Sequence, residues 1–272
     1  MYRKFKKKLQ IISINKSMLN DFQSRRELCF ERLNGENIDD HDNQALSLLL
    51  NGNALVVRNY LQDSNCVPHL EKILNVTLDQ IPKLHDDRSP IEIMTEILTS
   101  RADEATLSLQ SFIISEFAES LGLDHIYCEL EPNIRLHPPY NIVKKYEKEI
   151  EATVGSGQLT AHSVHKDSWY HHPKNTMNIW IACTDVNAYS GMSILEHSQD
   201  YYPPVEDQEL VDYKDALSHQ HHDLELRAGD AVIFLSELVH SSILNQSEPT
   251  RGTISMRFTL ESPKPQKHKP YW

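Results

Sequence analysis

Apolar residues recur every four positions in "DEATLSLQSFIISEFAESLGL", where Leu109, Ile113, Phe117 and Leu121 form one stripe. That period predicts a core-facing helix, and Gly122 stands where a helix of this length would stop. Upstream, "KSMLNDFQSRRELCFERL" sets Leu19, Phe22, Cys29 and Leu33 near one helical face. Between the two, "NALVVRNYL" (53–61) reads as a short buried strand leading into a helix around residues 66–75. The first half is therefore expected to be mostly helical.

The second half changes period. The segments 127–139, 159–167, 177–186, 191–197, 223–235 and 251–260 all predict strands, and short strands with turns between them suggest a sandwich or barrel. In the last of these, Ile254, Met256, Phe258 and Leu260 alternate with Thr253, Ser255, Arg257 and Thr259. One face is apolar and packs on a second layer. A polar face on a core strand makes sense where it lines a site.

Composition narrows the function classes. A net charge of −12 over 272 residues argues against nucleic acid as a partner, because phosphate contacts need a basic surface. Cys29, Cys66, Cys128 and Cys183 form no C-x-x-C pair and suit a reducing compartment rather than a disulfide scaffold. The basic opening "MYRKFKKKLQ" is not followed by the apolar run of a signal peptide, and no segment reaches membrane-spanning length. The expectation is a soluble, cytoplasmic protein.

Candidate chemistry starts at "VHKDSWYHH". On a strand, His165 and Asp167 point to one face and Lys166 points away. A third ligand is available in His240, at the far end of the apolar run "AGDAVIFLSELV". Two imidazoles and one carboxylate form the face that holds mononuclear non-haem Fe(II) and leaves three positions open. Arg251 lies eleven residues after His240, with Thr253 on the same strand face. A guanidinium fork beside a hydroxyl is a carboxylate receptor.

These pieces resemble the phytanoyl-CoA dioxygenase-like family of Fe(II)/2-oxoglutarate oxygenases. The matching motifs are "VHKDSWY", "NIWIACTDVNAYSGMSILEHS", "AGDAVIFLSELVHSS" and "NQSEPTRGTISMRF", in that order, with "NALVVRNYL" similar to the family's entry strand. The resemblance implies a double-stranded β-helix (jelly-roll, cupin-like) core with flanking helices and a helical N-terminal half. It implies His165, Asp167 and His240 as iron ligands, Arg251 with Thr253 as the 2-oxoglutarate clamp, and O2 as the oxidising substrate. Hydroxylation of an unactivated C–H bond would release succinate and CO2. An acid at position 167 leaves no vacancy for chloride, which disfavours halogenation. The family's range of substrates includes intermediates of specialised metabolites. Two departures are Lys166 between the ligands, where small or amide side chains are frequent, and "LEHSQ" in place of a Pro-Gly-Ser-His ending.

Around this set, Asn133 and Arg135 alternate with His137 onto one face of "PNIRLHPPY", either as cosubstrate contacts or on an exposed edge. Arg257 shares the face of Arg251 and is an alternative clamp, a substrate contact or the partner of a buried acid. Lys166, Trp169, Tyr170 and His171 are candidate substrate contacts, while His219, His221 and His222 read as a solvated loop. The expected organisation is an N-terminal helical extension (1–49), an oxygenase domain (50–262) and a Pro/Lys-rich tail (263–272). Rival readings are a cupin-like zinc-dependent hydrolase or isomerase, and a non-catalytic binding protein on the same fold.

Overall fold

In the computed structural model, which describes residues 28–38, 44–100, 103–155, 164–170, 172–201, 205–206, 209–210 and 221–263, the two periods give two kinds of element. The helices among these residues are α1 (Gln44–Leu50), α2 (Val67–Leu74), α3 (Leu84–Asp87), α4 (Pro90–Ser100), α5 (Glu104–Ser120), α6 (Tyr140–Val143) and α7 (Glu147–Thr153). The strands are β1 (Glu31–Arg32), β2 (Leu55–Val57), β3 (Tyr127–Cys128), β4 (Asn133–His137), β5 (Thr176–Ala182), β6 (Met192–Leu195), β7 (Val205–Glu206), β8 (Glu209–Leu210), β9 (His221–Asp223), β10 (Ala231–Leu235), β11 (Val239–Ser242) and β12 (Arg251–Thr259). None of the helices is long and apolar enough to cross a membrane.

Every strand pair among the described residues is antiparallel. The larger sheet runs β1-β2-β10-β5-β12-β3, with β4 also pairing β12; the smaller runs β11-β6-β9. The fold is mainly β with helices, and cupin-like. β12 is an interior strand, with β5 on one side and β3 and β4 on the other, and its alternation serves two layers at once. Ile254, Met256 and Phe258 are buried in the same apolar cluster as Leu109, Ile113 and Phe117 of α5. Each such side chain stabilises the fold by about 1.5–3 kcal/mol on leaving water.

Helix α5 ends as its sequence predicts. Gly122 adopts φ +68°, and the N–H groups of Gly122 and Leu123 close back on the carbonyls of Glu119 and Ala118. The strand at 55–57, the helix at 67–74 and the strand at the C-terminal end also stand where the pattern put them.

Three expectations need correction. The helix expected through Leu33 does not extend over its described part: residues 17–27 lie outside the described residues, and Glu31–Arg32 is strand β1, paired with β2. Burial there alternates, with Leu28 and Phe30 inside and Cys29 outside, so pairing to β2 overrides the helical spacing. Of the strand expected over 159–167, residues 159–163 lie outside the described set; the described part makes one bridge, at His165, and a 3-10 turn begins at Asp167. His221–Asp223 is strand β9 against β6 rather than loop, since an otherwise open edge of β6 is satisfied by its backbone; His219 lies outside the described residues.

Candidate metal centre and its cavity

The segment carrying the first two candidate ligands is stapled to the β10–β11 region by backbone hydrogen bonds. His165 donates to the His240 carbonyl at 2.8 Å and His240 donates to the His165 carbonyl at 2.9 Å, while the Asp167 N–H donates to Ser236 O at 3.0 Å. These bonds bring residues distant in sequence into one buried cluster. His165, Asp167 and His240 each offer one ligand atom, and the three atoms lie within 4.8 Å of one another. Asp167 Oδ1 is 3.6 Å from His165 Nε2 and 3.8 Å from His240 Nε2.

The protonation of this set suits a cation. Burial pushes the His240 imidazole down to about 4, so it is neutral near neutral pH. Its Nδ1 lies 2.8 Å from the Leu238 carbonyl, which can only accept; Nδ1 therefore carries the proton and Nε2 keeps its lone pair. Burial alone would raise the Asp167 carboxyl, but Arg257, His165 and His240 beside it hold it well below the usual carboxylate range. Two imidazole nitrogens and one carboxylate oxygen are a donor set that fits Fe(II).

The cluster lines a cavity of about 350 Å³ reached from both sheets. Along β12 the residues Arg251, Thr253, Ser255 and Arg257 all face it, as the alternation predicts. Register puts Arg135 opposite Thr253 and Asn133 opposite Ser255, so β4, paired on one side by β12, turns its half-buried polar face to the same cavity. Arg251 is 3 % exposed. Its Nη1 donates to the carbonyls of Ser190 at 2.5 Å, Ile243 at 3.2 Å and Gly191 at 3.3 Å, and its Nη2 donates to His137 Nδ1 at 2.6 Å. Its buried Nε has no hydrogen-bond partner among the described residues. Burial, and then the neighbouring Arg135, push the Arg251 guanidinium down to about 9. Two crowded guanidiniums and an unused buried donor fit an anion.

The remaining candidates separate. Tyr170 lines the cavity and sets its ring edge-on to His165 at 5.0 Å. Lys166 and Trp169 do not line it. Lys166 is fully buried on the other side of the ligand segment and donates to Gln199 O at 2.7 Å, as its intermediate position between two inward residues requires. The 3-10 turn swings Trp169 against Leu195 and Val239. Arg257 faces the cavity but is engaged by Asp167 and Glu129. His171 lies outside the described residues.

Sequence reasoning missed Glu129, His172, Asn178 and Trp180, which also line the cavity. Asn178 and Trp180 were within reach: they alternate with Met177, Ile179 and Ile181 on β5, the same period that exposed the polar face of β12. Glu129 carried no such signal, because it lies between the short strands β3 and β4.

The model of the family described as Phytanoyl-CoA dioxygenase (PhyH) matches residues 54–253. No match is found among curated proteins. Among solved structures, the chain is similar to the non-heme alpha ketoglutarate dependent carbocyclase SnoK from nogalamycin biosynthesis, at 14% identity and a TM-score of 0.51. That match covers 89% of this chain and 97% of that one. It is similar to AviO1 from Streptomyces viridochromogenes Tue57 at the same 14% identity and TM-score of 0.51, covering 85% of this chain and 100% of that one. Likeness at this identity speaks for the fold, whereas the family match spans most of the sequence that builds the cavity. The chain belongs to the phytanoyl-CoA dioxygenase family.

Proposed function

We propose that this chain is an Fe(II)/2-oxoglutarate-dependent dioxygenase that hydroxylates an unactivated C–H bond of a small molecule, an intermediate of natural-product biosynthesis, with release of succinate and CO2. The observation that carries this reading is one cavity holding both the His165, Asp167 and His240 cluster and the unused Nε donor of Arg251. The catalytic unit is residues 50–262, built on a double-stranded β-helix, with residues 1–49 as an N-terminal extension and 263–272 as a tail. Four cysteines, none of them in a disulfide, support a cytoplasmic setting.

When bound, Fe(II) with 2-oxoglutarate and O2 supplies the oxidising power that replaces hydrogen by hydroxyl on the substrate carbon. The chain's own part is to bind, orient and exclude water. His165 Nε2, Asp167 Oδ1 and His240 Nε2 would hold the metal. Arg251 Nε would donate to the far carboxylate of 2-oxoglutarate, Arg135 would add a second positive charge, and Thr253 and Asn133 complete the polar wall. The three backbone carbonyls around Arg251 Nη1 fix the guanidinium before the ligand arrives, which lowers the ordering cost of binding. Tyr170, Trp180 and Phe234 wall the cavity with aromatic surface where the substrate carbon would sit. The likeness to the carbocyclase SnoK from nogalamycin biosynthesis supports a natural-product substrate without fixing the outcome on it. A zinc hydrolase built on the same three ligands would have no use for paired guanidiniums.

The test is anaerobic titration of metal-free protein with Fe(II) and then 2-oxoglutarate. A weak visible charge-transfer band on adding the keto acid is expected, with succinate formed once O2 and substrate are supplied. Folded, metal-loaded protein that gives no band would sink the oxygenase reading.

A further inference from the structure

We propose that Arg257 and Asn178 are positioning residues that restrict Asp167 to binding the metal through Oδ1 alone; this rests on the metal site proposed above. Asn178 Nδ2 donates to Asp167 Oδ2 at 2.9 Å and Arg257 Nε donates to the same oxygen at 3.0 Å. The contact from Arg257 Nη2 to Oδ1 is longer, at 3.4 Å. Oδ1 is also the oxygen nearer the two imidazole Nε2 atoms. One carboxylate oxygen therefore carries two short protein hydrogen bonds, and the other is left for the cation.

Sheet register makes this arrangement. Arg257 on β12 and Asn178 on β5 are direct cross-strand partners, so both donors project from one face toward the same oxygen. Arg257 is held from behind: its Nη1 donates to Glu129 Oε2 at 3.1 Å, and its carbonyl accepts from the Glu129 N–H at 2.9 Å. The charge order along the wall is Glu129, Arg257, Asp167. A buried Asp–Arg pair adds little to stability on its own account, because desolvation offsets the attraction. Its consequence lies in the coordination number. A carboxylate free to turn can take two of the six octahedral positions. Held by one oxygen, Asp167 with the two histidines leaves three positions, enough for a chelating keto acid and O2.

The experiment measures Co(II) affinity and visible spectrum, and Mn(II) affinity, on metal-free full-length protein, with urea denaturation as the check on folding. The variants are Asn178→Ala, Arg257→Lys, Arg257→Gln and the double variant Arg257→Gln/Glu129→Gln. The double variant removes the acid that Arg257→Gln alone would strand. We expect Asn178→Ala and the double variant to stay folded and to bind metal about 10–100-fold more weakly, the usual cost of losing such outer partners. Arg257→Lys should recover part of that loss, because an ammonium can still donate to Oδ2. The Co(II) spectrum of Asn178→Ala should shift toward higher coordination. Folded Asn178→Ala and double-variant proteins with wild-type affinity and an unchanged spectrum would overturn the proposal. Wild-type protein that binds neither metal would instead overturn the metal site itself.

Discussion

His165 and His240 face each other across an antiparallel bridge that makes both of its hydrogen bonds, and their rings stand 4.4 Å apart centroid to centroid. Backbone pairing therefore fixes the separation of the two imidazoles before any metal arrives. Asp167 completes the cluster two residues on, held by Ser236 O through its own N–H. A site built this way is preorganised, and its parts can be tested separately.

Removing any one of the three should destroy metal binding without removing the fold. His165→Ala, Asp167→Asn and His240→Ala are each expected to lower Mn(II) affinity at least about 100-fold by calorimetry, beyond the cost of losing an outer partner. In the wild type, metal at 100 times its Kd should add about 2.7 kcal/mol to unfolding stability. The variants should show no such gain, and an equal gain in all four proteins would point to a different binding place.

Arg251→Lys isolates the proposed clamp. The ammonium keeps the charge but lacks the Nε donor and the planar fork. The 2-oxoglutarate Kd should rise about tenfold or more while Mn(II) affinity stays within about twofold, read from a keto-acid titration of metal-loaded protein. An unchanged Kd would move the clamp to Arg135.

Gly191→Ala tests the backbone that props Arg251. A Cβ there would stand 2.9 Å from Asn187 O and 3.1 Å from Leu224 O, both rigid backbone atoms. The strand must shift, at a cost of about 1–3 kcal/mol by urea denaturation. Because the Ser190 and Gly191 carbonyls accept from Arg251 Nη1, 2-oxoglutarate binding should weaken with it. Loss of stability with unchanged keto-acid affinity would separate the prop from the clamp.

Tyr60→Phe tests a buried polar contact in the layer behind the sheet. The Tyr60 hydroxyl donates to Glu116 Oε2 at 2.7 Å, and the ring packs against Phe117 at 5.2 Å. Deleting the oxygen takes one donor from a buried carboxylate and should cost about 1–3 kcal/mol of stability, with 2-oxoglutarate binding unaffected. A change below about 0.5 kcal/mol, the size of an ordinary surface substitution, would contradict the contact.

Thiol reactivity tests the burial pattern. Cys29 is exposed, whereas Cys66, Cys128 and Cys183 are buried, and burial pushes the Cys128 thiol up to about 12. Native protein should release one fast equivalent with a disulfide reagent, and Cys29→Ser should abolish it. Denatured protein should release all four.

Part of the fold is legible in the sequence because a local period is enough to specify it. The four-residue stripe of α5 and the two-residue alternation of β12 are written in the residues themselves, because helix pitch and strand pleat repeat identically wherever they occur. That alternation also marked Arg251, Thr253 and Arg257 as facing one way, and the structure puts all three on one cavity. Elsewhere pairing outweighs period. Residues 31–32 form a strand because β2 offers them partners, and His221–Asp223 does so because β6 does.

Sequence by itself thus determined which residue types stand at which phase of each element, and with them the family motifs. Tertiary structure alone decided who meets whom. Arg257, one candidate among several along the strand, meets Asp167 because β12 lies beside β5 and carries it opposite Asn178. Trp169, next to the ligand segment in sequence, turns away because the chain coils into a 3-10 turn there. The physical reason is that periodicity is set by each element's own backbone geometry. Partnership is set by hydrogen bonds and burial between segments far apart along the chain.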